Sequence, residues 1–133
     1  MSSIAAPPIT APVQSFYDAL AVGDIQRVTE LCSPDVTVNM PGGSPLAGLY
    51  SGRDAAIGFL GKMQAVSAGT FRAELSRLYA SDTHVVALHH GTAQRGDKTL
   101  DANAALVFEV SDGTITAVSV HQENLGHWDD FFA

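Results

Sequence analysis

The chain has a single cysteine among its 133 residues. Cys32 has no intrachain partner, so no disulfide can hold the fold together, and an unpaired thiol fits a reducing compartment, here read as the cytoplasm. Basic residues are scarce as well, with seven Lys and Arg against fourteen Asp and Glu and a net charge of −7. Phosphate backbones and anionic membrane surfaces are both gripped by clustered Lys and Arg, so nucleic acid and membranes are excluded as partners. No apolar run approaches the ~20 residues that a spanning helix needs. The opening Met1-Ser2-Ser3-Ile4-Ala5-Ala6-Pro7-Pro8 has neither a basic start nor a long apolar stretch. It reads as a loose tail over residues 1–11 and not as a secretory signal.

Several chemistries are missing too. His84, His89 and His90 look like a metal cluster, but 84 and 90 on one strand face lie ~20 Å apart at ~3.3 Å per residue, and 89 and 90 point to opposite faces. No metal site is expected. Cys32 has no visible base beside it, no Gly-x-Ser-x-Gly elbow occurs, and Gly42-Gly43 lacks the lysine of a phosphate loop. Arg95-Gly96-Asp97 spells an adhesion tripeptide, but its composition is that of a hairpin turn. Whatever this protein does, it is expected to do without a cofactor.

Hydrophobic residues make up 46% of the chain, enough for one globular domain over residues 12–133. Pro12 opens a helix whose apolar stripe is Val13, Phe16, Tyr17 and Leu20. Gly23 ends it, and Asp24 caps a second helix carrying Ile25, Val28, Leu31 and Cys32. Val36 to Met40 alternates as a short strand, and Leu46 to Tyr50 is a candidate second strand. A third helix starts at Arg53 or Asp54 with Ile57, Phe59, Leu60 and Met63. Phe71 to Tyr79 is a strand leading into Thr83–Glu123. There, three long strand-like runs are joined at Arg95-Gly96-Asp97-Lys98 and Ser111-Asp112-Gly113-Thr114, turns that supply the positive φ of tight hairpins. Strands of that length must curl, and a curled sheet encloses something. The class is α+β, with helices packed on one face of an antiparallel sheet.

Phe16-Tyr17-Asp18-Ala19-Leu20 with Gly23-Asp24, then Ser33-Pro34-Asp35-Val36, resembles the opening of the nuclear transport factor 2-like superfamily. Pro45-Leu46-Ala47-Gly48, Tyr50, Gly52-Arg53, Phe59 and Asp112-Gly113-Thr114-Ile115 continue the likeness. The closing Trp128-Asp129-Asp130-Phe131-Phe132 is similar to the tail of SnoaL-like members, the branch of polyketide cyclases and ketosteroid isomerase-like proteins. The resemblance implies a cone, a cystatin-like α+β barrel in which a curved antiparallel sheet wraps three N-terminal helices. It also implies a mostly apolar pocket at the cone's mouth and a homodimer formed through the convex sheet face.

Ketosteroid isomerase places a tyrosine and two carboxylic acids where this chain has Phe16, Met40 and Ala105. All three are apolar, so steroid-type isomerisation by that residue set is excluded for want of a base. The likeness also suggests which strand faces turn inward. It places Val86, Leu88, His90 and Thr92 on the concave face, with Asp101, Asn103, Ala105 and Val107 beside them and Val118, Val120 and Gln122 on the last strand. The opposite parity turns in Ala102, Ala104, Leu106 and Phe108, the more apolar set.

On the first parity, His90, Asp101 and Asn103 converge as the catalytic candidates. A histidine titrating near neutrality next to a carboxylate suits acid/base work, and the amide can donate to an oxyanion. Phe16, Tyr17, Met40, Leu88, Thr92, Ala105, Val118, Val120 and Gln122 are the expected ligand-contacting residues. Ser119 and His121 form a rival polar pair. The plain alternative makes His90 a hydrogen-bonded strand histidine and Asp101 an exposed residue near a turn. The leading reading is an enzyme acting on a hydrophobic, polycyclic or polyketide-like molecule by cyclisation, isomerisation or dehydration. A non-catalytic binding or dimerisation module, or an epoxide hydrolase with a rearranged triad, are the alternatives.

Overall fold

The computed structural model describes residues 8–133; of the expected tail, residues 1–7 lie outside them. Helix α1 (Ala11–Val22) ends in Gly23, whose φ of 72° is the left-handed stop that glycine adopts most readily. Asp24 accepts a hydrogen bond from the Arg27 amide at 3.0 Å and so caps α2 (Ile25–Leu31). Strands β1 (Cys32–Met40) and β2 (Gly48–Ser51) follow, then α3 (Arg53–Val66). Strands β3 (Arg72–Ala80), β4 (His84–Arg95), β5 (Lys98–Ser111) and β6 (Thr114–Gln122) form the meander, and α4 (Leu125–Phe132) closes the chain.

All six strands belong to one sheet in the order β2-β1-β6-β5-β4-β3. The short early strands are therefore an extension of the meander, with β1 running parallel to β6. Irregular registers at Leu75/Arg77 and Glu109/Val110 mark bulges, which bend long strands. The helices fill the concave side. Phe108 is fully buried there, with its ring 5.4 Å from Phe16 and 6.2 Å from Tyr17. Among the described residues, no helix is long and apolar enough to cross a membrane.

The inward parity of β4 and β5 is the reverse of the one that the resemblance implied. Val85, Ala87, Gly91 and Ala93 of β4, and Leu100, Ala102, Ala104, Leu106 and Phe108 of β5, are buried. His89 shares their side of β4. Leu88, His90 and Thr92, with Asp101, Asn103 and Ala105, therefore turn to the outer face. The physical reason is burial: the inward set is the more apolar one, and a one-residue offset sends every side chain of a strand to the other face. On β6 the expected parity holds, since Val118 and Val120 are buried on the inner side.

The closing Trp128–Phe132 run belongs to helix α4, which packs Trp128, Phe131 and Phe132 into the core. Its last carbonyls are held from the β4–β5 hairpin: Arg95 donates to the Phe131 and Ala133 oxygens at 2.9 and 2.6 Å, and Lys98 to Asp130 at 2.9 Å. Cations suit a helix C-terminus. On the other side, Asp129 accepts from the Gly43 amide at 2.9 Å. Neighbouring Gly42 has a φ of 120°, which disfavours any other residue, and a Cβ there would also stand 2.5 Å from the same carboxylate.

Candidate functional site

Two adjoining apolar chambers lie between sheet and helices, each of about 60 Å³. They share walls formed by Phe16, Phe59, Leu60, Leu106 and Val120. A larger vestibule of about 410 Å³ adjoins the first chamber through Leu20, Leu60, Met63, Phe71 and Ala73, and its rim is the exposed Ala21, Gly23, Gly61 and Gly69. The combination has the size and apolar lining of a small-molecule site.

The first chamber contains one hydrogen-bonded pair of proton-carrying groups. Tyr17 Oη lies 2.8 Å from His89 Nδ1, with the rings edge-on at 5.6 Å. Helix α1 delivers the tyrosine from the stripe that buries Val13 and Phe16, and the inward parity of β4 delivers the histidine. Burial pushes the phenol well above its usual range and lowers the imidazole to about 4, with His90 adding a smaller push in the same direction. At neutral pH both groups are uncharged. Gln122 and Trp128 also line this chamber, and among the described residues no carboxylate lines either one.

The lowered His89 value makes a pH prediction. Its folded pKa of about 4 lies below the 6.5 of an unperturbed histidine, so between those values the unfolded chain binds a proton that the folded chain refuses. This contribution to stability is complete above pH 6.5 and declines as the pH falls towards 4. Urea unfolding of the wild type and His89→Gln across that range isolates the term, and the difference between them should narrow as the pH drops. A constant difference would show that His89 titrates normally.

The other sequence candidates come together elsewhere. His90 Nε2 lies 2.6 Å from Asp101 Oδ1, and His90 Nδ1 lies 2.7 Å from Asn103 Oδ1. The trio does converge, but on the outer face, with the His90 and Asp101 side chains 43% and 70% exposed. The hydrogen bond to Asn103, together with the Asp101 carboxylate, raises the His90 pKa. Both ring nitrogens face acceptor oxygens, an arrangement that favours the protonated ring. Ser119 and His121, bonded at 3.0 Å, lie on the same outer face. Arg95 donates to the Phe131 and Ala133 oxygens at the end of the chain.

Of the expected ligand-contacting residues, Phe16, Tyr17, Met40, Val120 and Gln122 line the first chamber, and Val118 lines the second. Leu88, Thr92 and Ala105 do not. His89 and Trp128 are not among the expected site residues: in the sequence, His89 figures only as a rejected metal ligand and Trp128 only as part of the closing motif. The signal for His89 was its place in the inward series Val85, Ala87, Gly91 and Ala93.

The comparisons with known proteins agree with this architecture. The SnoaL-like domain model matches residues 13–118. Uncharacterized proteins of Mycobacterium tuberculosis and Mycobacterium bovis are each 31% identical over 122 residues, covering 91% of this chain and 93% of theirs. Among solved structures, Bal32a from a soil-derived mobile gene cassette is 33% identical with a TM-score of 0.91, covering 94% of this chain and 96% of its own. A protein of unknown function with a cystatin-like fold from Xanthomonas campestris is 26% identical at a TM-score of 0.89, covering 94% and 98%. Another from Xanthomonas campestris, named as a candidate polyketide cyclase, is 26% identical at 0.73, covering 94% and 96%. With a curved α+β sheet around an apolar chamber and a family match over most of its length, the chain belongs to the SnoaL-like domain family.

Proposed function

We propose that the protein binds a hydrophobic, polycyclic or polyketide-like molecule and performs cofactor-free proton transfer on it through Tyr17 and His89. The molecule's body occupies the vestibule and its leading end enters the first chamber. The observation that carries this reading is the 2.8 Å Tyr17–His89 pair in a wall that is otherwise almost entirely apolar. The family, and the neighbour named for polyketide cyclisation, support the ligand class.

The chemistry follows from the tautomer in which Nδ1–H donates to Tyr17 Oη. The phenol then donates its own hydrogen to a ligand carbonyl, and Nε2 offers a lone pair. A C–H bond next to the carbonyl breaks, its proton passes to Nε2, and its electron pair moves onto the oxygen held by Tyr17. Returning the proton to another carbon isomerises the ligand. Expelling a β-hydroxyl, whose oxygen takes the Nε2 proton and leaves as water, dehydrates it; attack of the enolate carbon on a second carbonyl, whose oxygen takes that proton, cyclises it.

A tetralone tests this directly, because exchange of its α-protons in heavy water needs only the first half of the sequence. The wild type should accelerate that exchange. Binding with exchange at the background rate would instead support a non-catalytic binder, the reading favoured by the lack of a carboxylate in the chambers.

The same reading takes the protein as a homodimer through the outer sheet face. One cross-strand row runs over all six strands as Leu49, Asn39, Ser119, Val107, Val86 and Tyr79. Its apolar ends, Leu49 and Tyr79, are 65% and 54% exposed, which suits covering by a second copy. Sedimentation equilibrium should give twice the 13.9 kDa chain mass, and Val107→Glu should return it to one. A wild type that sediments as a single chain would end this part of the reading.

A further inference from the structure

Trp128 is the chain's one tryptophan. It is 4% exposed and lines the first chamber, and its indole N–H has no acceptor among the described residues. Buried N–H groups are paired in the great majority of proteins, because an orphan forfeits its hydrogen bonds to water without compensation. The ring has little freedom to seek a partner. It stands edge-on to Phe71 at 6.2 Å and tilted against Phe132 at 4.5 Å. Its helix is held at both ends, by the Asn124 cap to the His127 amide and by Arg95 and Lys98 on the final carbonyls. A donor fixed in place, buried and unused is what a preorganised ligand contact looks like before its ligand arrives.

We propose that Trp128 is a specificity-determining donor of the chamber, selecting hydrophobic molecules that carry an uncharged oxygen acceptor such as a ketone or quinone carbonyl. This deepens the ligand-binding reading above and rests on it. An indole N–H only donates, so its partner must be an acceptor. The acceptor is neutral because no Lys or Arg lines the chamber to balance an anion. A hydrocarbon would fill the same space and leave the donor orphaned, which is how a buried polar group rejects an analogue lacking its partner.

Fluorenone and fluorene share one tricyclic skeleton and differ by a carbonyl, so they isolate the interaction. The wild type should bind fluorenone about tenfold more tightly than fluorene, the worth of one good hydrogen bond. Trp128→Phe keeps an aromatic ring and removes the N–H, and it should lower the ratio severalfold, leaving only the preference that the Tyr17 hydroxyl supplies. Because the chain has one tryptophan, its indole N–H gives a single NMR resonance. In the wild type this should move downfield with fluorenone and stay near its free position with fluorene, a readout independent of how well the variant folds. Fluorenone binding that shifts other chamber resonances but leaves the indole unmoved would overturn the role of Trp128 while sparing the chamber. If neither compound binds, the ligand-binding reading falls and takes this one with it.

Discussion

In His89→Gln, exchange of tetralone α-protons should fall by about 10²–10⁴-fold, the usual worth of a positioned general base. Glutamine fills a similar volume and can still pair with the Tyr17 hydroxyl 2.8 Å from the histidine ring, but it cannot accept a proton at neutral pH. The loss should therefore appear in turnover more than in affinity. The pH profile of the wild type carries the same signature. Exchange should rise as the pH climbs through about 4, where burial has placed the His89 pKa, and be level by neutrality. Tyr17→Phe removes the donor to the developing oxyanion and should cost roughly 10²-fold or more by itself. Should His89→Gln exchange protons as fast as the wild type, this pair is not the catalytic one.

The largest effect on stability is expected at Phe108. Truncation to alanine should cost about 3–5 kcal/mol, because a fully buried ring loses its burial and leaves a cavity beside Phe16 and Tyr17. The next residue along the strand provides the control. Glu109 is exposed on the outer face and makes only a long contact of 3.9 Å with His84. Glu109→Ala should stay within about 0.5 kcal/mol of the wild type. The contrast between neighbours, read from urea unfolding, tests the register of the whole strand. Comparable costs at the two positions would mean that β5 does not present Phe108 inward as described.

Much of the architecture was legible in the sequence. The stripe of Val13, Phe16 and Tyr17, the glycine stop at 23 and the Asp24 cap are local signals, and each acts within a few residues. The hairpins at 95–98 and 111–114 announce themselves through glycine and aspartate. The pairing of β1 with β6 brings together residues some eighty positions apart, and no local pattern encodes that.

The inward parity failed for a different reason. Both faces of β4 and β5 carry apolar side chains: Val86, Leu88 and Val107 lie outside, while Val85, Ala87 and Leu106 lie inside. Alternation alone does not choose between them, and a correspondence displaced by one residue chooses wrongly. Preferring the more apolar set would have turned His89 inward and directed attention to it. Phe16 and Met40 were correctly placed because α1 and β1 each have only one apolar face. Trp128 stayed off the expected site because the acidic, aromatic run Trp128-Asp129-Asp130-Phe131-Phe132 reads as a segment that docks over the sheet or the pocket mouth, not as a ligand contact.

The inner faces of β4 and β5 are paved with Ala87, Gly91, Ala93, Ala102 and Ala104, and the Phe71 ring comes to about 3.5 Å of the place where a Cβ on Gly91 would stand. None of these five lines a chamber; on the sheet side the walls that both chambers share come from Leu106 and Val120 instead. The room offered to a guest and the tight seam where Phe71 meets Gly91 are thus set by different side chains, so a change of size at Leu106 or Val120 reshapes the enclosed space while leaving that seam as it is.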